Sequence, residues 1–136
     1  MRSMSFTPVP IIGDPVPIIG DTPLFTIVSA QSSITGRPGQ TVTVSVTVRN
    51  DGTAPGTVTV RIIDHNENIA GSQGAYLYPG ESITLNIDVT LPSTGSYLWR
   101  IEAFNEDTQF VDDQKTLTVY VYAKRSTSIT LTITPL

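Results

Sequence analysis

From residue 25 onward, apolar side chains fall at every second position in short runs, and each run ends in a cluster of Gly, Pro, Asn or Asp. A period of two puts successive side chains on opposite faces of an extended chain, so the pattern predicts half-buried strands joined by turns. Its plainest case is residues 41–50, where Val42, Val44, Val46 and Val48 alternate with Thr41, Thr43, Ser45 and Thr47. The same pattern places further strands over 25–30, 57–64, 75–78, 82–91, 96–104 and 115–122, with a polar loop over 65–74. Their inward faces include Val58, Val60 and Ile62, then Ile83, Leu85, Ile87, Val89 and Leu91, then Tyr97, Trp99, Ile101 and Ala103. About seven strands with turns at these spacings predict an all-β, antiparallel β-sandwich. Trp99 belongs in its core.

The two ends break this pattern. Pro8-Val9-Pro10-Ile11-Ile12-Gly13-Asp14 is repeated unchanged as Pro15-Val16-Pro17-Ile18-Ile19-Gly20-Asp21, and Thr22-Pro23 follows. Proline removes a backbone donor and fixes φ, which excludes helix and central strand and predicts an extended, polyproline-like run broken by Gly-Asp turns. At about 3.1 Å per residue, the two heptapeptides together reach about 40 Å. A plain linker would be Gly/Ser-rich or charged, whereas this one carries Val9, Ile11, Ile12, Val16, Ile18 and Ile19. Burying such a side chain is worth about 1.5–3 kcal/mol. Residues 1–24 are therefore expected to form an arm that docks through those six side chains, the repeat supplying two equivalent footholds on neighbouring subunits or on the molecule itself.

At the other end, residues 126–134 read Ser-Thr-Ser-Ile-Thr-Leu-Thr-Ile-Thr, with Ile129, Leu131 and Ile133 on one side and no charge. This additional strand, within 124–136, comes after the sandwich of residues 25–123 is complete. It is expected either to close an edge of its own sandwich or to pair with a sheet edge on a neighbour.

Four segments of the body carry a family resemblance. Asn50-Asp51-Gly52 follows the alternating valine strand, and Gly56-Thr57-Val58-Thr59-Val60 comes next. Leu77-Tyr78-Pro79-Gly80-Glu81-Ser82 and Gly95-Ser96-Tyr97, ahead of Trp99, complete the set. In this order they resemble the CARDB family of immunoglobulin-like modules over residues 25–122. The resemblance implies an immunoglobulin-like antiparallel sandwich, and a family that is usually extracellular, often in tandem and associated with adhesion and surface assembly. This chain differs from that pattern in its single copy and in its additions at both ends.

Composition narrows the chemistry. Thr, Val and Ile account for 47 of the 136 residues, only 15 % are charged, and the net charge is -4 with one histidine and no cysteine. Disulfide scaffolds and cysteine-based zinc sites are thereby excluded. The eight cations are dispersed, with Lys124-Arg125 the only adjacent pair, so no nucleic acid is expected as a partner. No apolar run reaches the roughly 18–20 residues needed to span a bilayer, and the apolar N-terminal stretch is cut by prolines, with Arg2 its only cation. Neither membrane insertion nor a secretory signal is expected.

His65 sits in the polar run Asp64-His65-Asn66-Glu67-Asn68 and reads as a solvated loop histidine, not a general base. Asp64, Asn66 and Asn68 are spaced like the opening of a calcium loop but lack its glycine and its distant bidentate Glu, so no metal or other cofactor is assigned. Glu102, Glu106, Asp107, Asp112 and Asp113 read as solubility charges. Tyr76, Tyr78, Tyr97, Tyr120 and Tyr122 are expected to form cross-strand pairs, a carbohydrate-stacking platform being the alternative.

The chain is thus expected to be a non-enzymatic assembly protein. Its first expected setting is a virion assembled in the host cytoplasm, as a capsid or decoration protein whose arm docks on other protein subunits, its own or those of a major coat protein, in a homo-oligomer or lattice. The alternatives are a cell-surface or filament subunit assembling by strand addition, extracellular if a signal peptide has been removed, and a carbohydrate-binding module.

Overall fold

The computed structural model describes residues 21–123. The expected docking residues of the arm, Val9, Ile11, Ile12, Val16, Ile18 and Ile19, and those of the C-terminal strand, Ile129, Leu131 and Ile133, lie outside the described residues. Within them the chain forms eight strands: β1 (Phe25–Ala30), β2 (Ser33–Gly36), β3 (Thr41–Asn50), β4 (Gly56–Ile63), β5 (Ile69–Leu77), β6 (Ser82–Thr90), β7 (Gly95–Asn105) and β8 (Phe110–Val121). They make a three-stranded sheet in the order β1-β3-β6 and a five-stranded sheet in the order β2-β8-β7-β4-β5. This is the expected all-β, immunoglobulin-like sandwich. The valines of β3, the inward residues of β4 and β6, and Trp99, Ile101, Leu117 and Val119 fill the space between the sheets. Residues of one parity from both sheets meet there because the pleat sends alternate side chains to one face.

Three elements differ from the sequence expectation. β2 carries one buried apolar side chain, Ile34, and four residues are too short to display a period. It pairs parallel to β8, from Ser33 opposite Thr118 to Gly36 opposite Val121, so the sandwich is not wholly antiparallel. β5 begins at Ile69, and the expected loop over 65–74 shrinks to a tight turn. Gly71, Ser72, Gln73 and Gly74 are poor strand formers, yet they lie opposite Ile62, Arg61, Val60 and Thr59 of β4. Glycine is required at 71 because a Cβ there would lie 2.6 Å from the Asp88 carbonyl oxygen of β6. β8 starts at Phe110, ahead of the expected strand over 115–122, and so takes in two adjacent acids, Asp112 and Asp113, read as solubility charges.

The strand directions fix two poles. The chain enters β1 and β8 at one pole, with the loops after β3, β5 and β7, and leaves β8 at the other, with the turns before β3, β5 and β7. Ten residues of β3 set the poles about 34 Å apart. Two turns are of the same kind: Pro38 and Pro79 hold the second position, and Gly39 (φ 78°) and Gly80 (φ 85°) the third. Each is closed by an N–H three residues on, Gln40 to the Arg37 carbonyl at 3.1 Å and Glu81 to the Tyr78 carbonyl at 2.9 Å. That is type II geometry, which needs positive φ at its third position.

Open space surrounds Gly80, so a methyl group there meets no atom within 4 Å. Gly80→Ala is expected to cost about 1 kcal/mol through φ alone. Gly74→Ala, whose Cβ would sit at ordinary contact distance, should stay within about 0.5 kcal/mol of wild type. Urea unfolding of the two variants checks the difference.

Candidate functional site

At the pole where the chain enters, two asparagines are fully buried, and each uses its whole side-chain amide. Asn50 accepts from the Gly52 N–H at 2.8 Å and the Leu24 N–H at 3.3 Å, and donates to the Ala54 and Leu77 carbonyls, both at 2.9 Å. Asn105 donates to the Pro23 carbonyl and to Asp112 Oδ2, both at 2.9 Å, and accepts from the Asp107 and Thr108 N–H groups. Between them they fasten Pro23 and Leu24, the last residues of the expected arm, to the loops after β3 and β7. A buried amide is tolerable only when its donors and acceptors are satisfied, so both side chains are confined to one geometry.

Asp112 and Asp113 are not solubility charges. Their carboxylates accept from the N–H groups of Phe25 and Ile27, each at 2.9 Å, along the side of β1 that faces away from β3. Glu106 accepts from the Thr59 hydroxyl at 2.6 Å, and Asp107 from the Thr57 N–H at 3.3 Å. The acids at this pole therefore satisfy main-chain and hydroxyl donors that the ladders leave over. Adjacency of Asp112 and Asp113 within an otherwise β-forming run was the signal composition did not decode.

The other pole holds His65. Its Nδ1 accepts from the Trp99 indole N–H at 3.1 Å, and its ring lies 4.3 Å from that of Tyr97. His65 is exposed in the turn, as its loop composition predicts, and from there it supplies the partner that the N–H of the buried tryptophan needs. Asp64 Oδ1 accepts from the N–H groups of Asn66 and Asn68, folding the turn on itself. Among the described residues no three His, Cys, Asp or Glu side chains are grouped so as to hold a metal ion. Beside the turn, Glu67 binds Arg100 through two bonds of 2.8 and 2.9 Å, Arg100 binds Glu102 at 2.6 Å, and Glu102 binds Arg61 at 2.6 Å. The Arg61 guanidinium in turn lies 4.2 Å from the centre of the Phe104 ring.

Glu102 is only 5 % exposed. Burial raises its pKa, but the hydrogen bonds from Arg100 and Arg61 outweigh burial and hold the carboxyl below its ordinary value of 4.5. Glu67 is lowered by its bond to Arg100, and Arg100 is raised by Glu67 and Glu102. This chain of charges ties the β4–β5 turn to the outer face of the five-stranded sheet.

Three of the tyrosines sit in cross-strand pairs, as expected, with smaller or β-branched partners and not with one another. Tyr76 lies opposite Thr57, Tyr97 opposite Val119, and Tyr120 opposite Ser96 and Thr35. Tyr76, near the end of β5, and Tyr78, in the turn after it, meet edge to face at 87°, so the two rings offer no common plane for a sugar. A concavity of about 580 Å³ at the exit pole is lined, among the described residues, by Arg37, Pro38, Thr94 and Ala123.

Two outcomes are expected. Asn50→Ala takes a partner from the buried Leu77 carbonyl and from three part-buried groups, the Ala54 carbonyl and the Gly52 and Leu24 N–H, and should lower stability by about 3 kcal/mol. Asn50→Asp should fare no better, because a carboxylate oxygen would then face the Ala54 and Leu77 carbonyls; urea denaturation measures both. The lowered Glu102 pKa means its contribution is complete above the unfolded value of 4.5 and is lost as pH falls through the folded value. Thermal unfolding between about pH 5 and 3 should therefore fall less steeply in Glu102→Gln than in wild type.

The comparisons with known proteins agree with this architecture. The sequence profile of the CARDB family matches residues 22–117. The crystal structure of the CARDB domain of the PF1109 protein from Pyrococcus furiosus, in complex with di-metal ions, is similar with a TM-score of 0.59 and 19% identity, covering 75% of this chain and 96% of that one. The solution structure of the same domain gives 0.57 and 19%, over 75% and 97%. A FixG-related protein from Vibrio parahaemolyticus gives 0.50 and 15%, over 61% and 80%. No curated protein matches the chain. At these identities the solved structures establish the fold alone. The sandwich is a non-catalytic, immunoglobulin-like module, and the chain belongs to the CARDB family.

Proposed function

We propose that the protein is a non-enzymatic assembly module that ties protein subunits together through the segments flanking its sandwich. One observation carries this function: the two flanking segments leave from opposite poles, about 34 Å apart along β3. A domain joined at both poles acts as a spacer, and each end engages a different neighbour. Asn50 and Asn105 brace the junction at which the arm meets the body, so that pull on Pro23 and Leu24 is carried into both sheets.

The setting we propose first is a virion coat, where the repeated apolar heptapeptides dock on adjacent subunits. Two footholds on one arm raise the effective concentration of the second contact once the first has formed, and many copies on a lattice compound the gain. A cell-surface or filament subunit is the second setting, favoured by membership of a family common in extracellular and adhesion-type proteins. There, residues 126–134 rather than the arm carry the joint.

Replacing Ile11, Ile12, Ile18 and Ile19 together by Asp in the full chain separates these settings. Under the coat function the variant stays folded, by circular dichroism, and no longer co-sediments with purified particles. Retained co-sedimentation overturns that function, and recovery of the wild-type protein in a cell-envelope fraction instead of particles moves it to the second setting.

A further inference from the structure

Among the described residues the two sheets present four edge strands, and three of them are guarded. Along β1, the carboxylates of Asp112 and Asp113 take up the N–H groups of Phe25 and Ile27. β2 is four residues long, too short to template a ladder of any length. β6 carries the charged, exposed Asp88 near its end, with Glu81 just ahead of its start. Short length, charge and covered donors are the devices that keep edges from pairing with other chains.

β5 has none of them. It is nine residues long, lies at the end of its sheet with β4 on one side only, and contains neither charge nor proline. Uncharged sequence in fact runs from Asn68 through Pro79. Ile69, Tyr76 and Tyr78 are exposed along it. On the neighbouring β6, Ile83 has the same inward parity as the buried Leu85, Ile87 and Val89 yet is 40% exposed. β6 closes against β5 at the far end, where the Asp88 carbonyl oxygen lies beside Gly71, and the space between the sheets is open at the Ile83 end.

The chain contains one segment made for such an edge. Residues 126–134 are nine in number, uncharged and alternating, with Ile129, Leu131 and Ile133 on one face. The proline-bearing heptapeptides do not qualify, since Pro8, Pro10, Pro15 and Pro17 remove the donors that a continuous ladder needs. We propose that the free edge of β5 accepts residues 126–134 of a second copy of this chain as an added strand of the five-stranded sheet, with Ile129, Leu131 and Ile133 turned inward over Ile83.

Reach decides between the molecule's own segment and a neighbour's. β8 ends at Val121, opposite Gly95, while the start of β5 lies level with Arg100 through Ile63. Five residues along β7 is about 17 Å, and four strand spacings from β8 to a strand outside β5 is about 19 Å, a diagonal of about 25 Å. From Val121 to residue 126 the chain spans at most about 18 Å. A molecule's own segment cannot lie along the whole of its own β5, whereas a neighbour's can. Each copy then both donates a strand and offers an edge, so the contact is head to tail and propagates.

This inference rests on the assembly function but is read on the purified chain alone, whereas arm docking is read on particles, so either can fail without the other. Sedimentation velocity over a range of concentrations should show wild type self-associating. Gln73→Lys places a charge on an exposed, inward-parity position of the β5 edge, where it is solvated in the free chain and stripped of water by an added strand. It should weaken association by about tenfold or more while leaving circular dichroism and thermal unfolding of the monomer unchanged. Leu131→Asp should do the same from the donor side.

The chain has no cysteine, so Ser72→Cys and Thr130→Cys variants, mixed under mild oxidation, should form a heterodimeric disulfide. The double variant should cross-link between copies. Four results overturn the inference: a wild type that is monomeric throughout, association indifferent to both charge substitutions, a cross-link formed within monomers of the double variant, or association abolished by Asp at Ile11, Ile12, Ile18 and Ile19 but not at Leu131.

Discussion

A sheet edge must give each outward backbone donor an acceptor or leave it to water and to other chains, and most of the unusual side-chain placements in this protein answer that requirement. Asp112 and Asp113 reach from β8 to the N–H groups of β1. Asn50 and Asn105 do the same inside the pole, where water cannot serve and an unpaired amide or carbonyl would cost about 1–3 kcal/mol. The hydrophobic layer between the sheets is built largely from valine, isoleucine and leucine at alternating positions, a pattern that many sandwiches would satisfy. What selects this one is the set of polar groups that close its ends.

The same economy explains the low charge. On the outer face of the three-stranded sheet, Thr43 bonds to Asp88, Ser45 to Asn86, and Thr47 to Thr84, at 2.6 to 2.7 Å. Cross-strand hydroxyl and amide pairs of this kind stabilise a solvated face without ion pairs. Arg61 and Arg100 bridge elements, at Glu67, Glu102 and the ring of Phe104. With few charges left over, edge protection cannot be general. It is placed strand by strand.

Period two made the long strands legible, because β3, β4, β6 and β7 each bury most of one face. Trp99 was legible as core for its size. His65 was not legible as its partner, since the two are 34 positions apart and only the fold aligns them. β2 and the first half of β5 were hidden for opposite reasons. Four residues hold too little period, and a strand containing Gly71 and Gly74 reads as loop until β6 is seen to demand a glycine. The apolar heptapeptides and the Thr/Ile segment stood out in the sequence, and neither falls within the described residues.

An edge left open in an otherwise guarded sandwich is a hazard unless its occupant is specified. Nonspecific pairing would accept any extended chain, so discrimination has to come from length, charge and the side chains that the added strand carries inward. β5 supplies nine uncharged residues and a half-exposed Ile83 at its flank. Only an uncharged segment with branched apolar residues at every second position fills that space without burying a charge. The separation of the poles adds a second selection. Because the chain enters at one pole and leaves at the other, a strand leaving the exit pole meets a neighbour's β5 more readily than its own, and closed pairing within one molecule is disfavoured by reach alone. Open association is then a consequence of topology, set by where β8 ends relative to the start of β5.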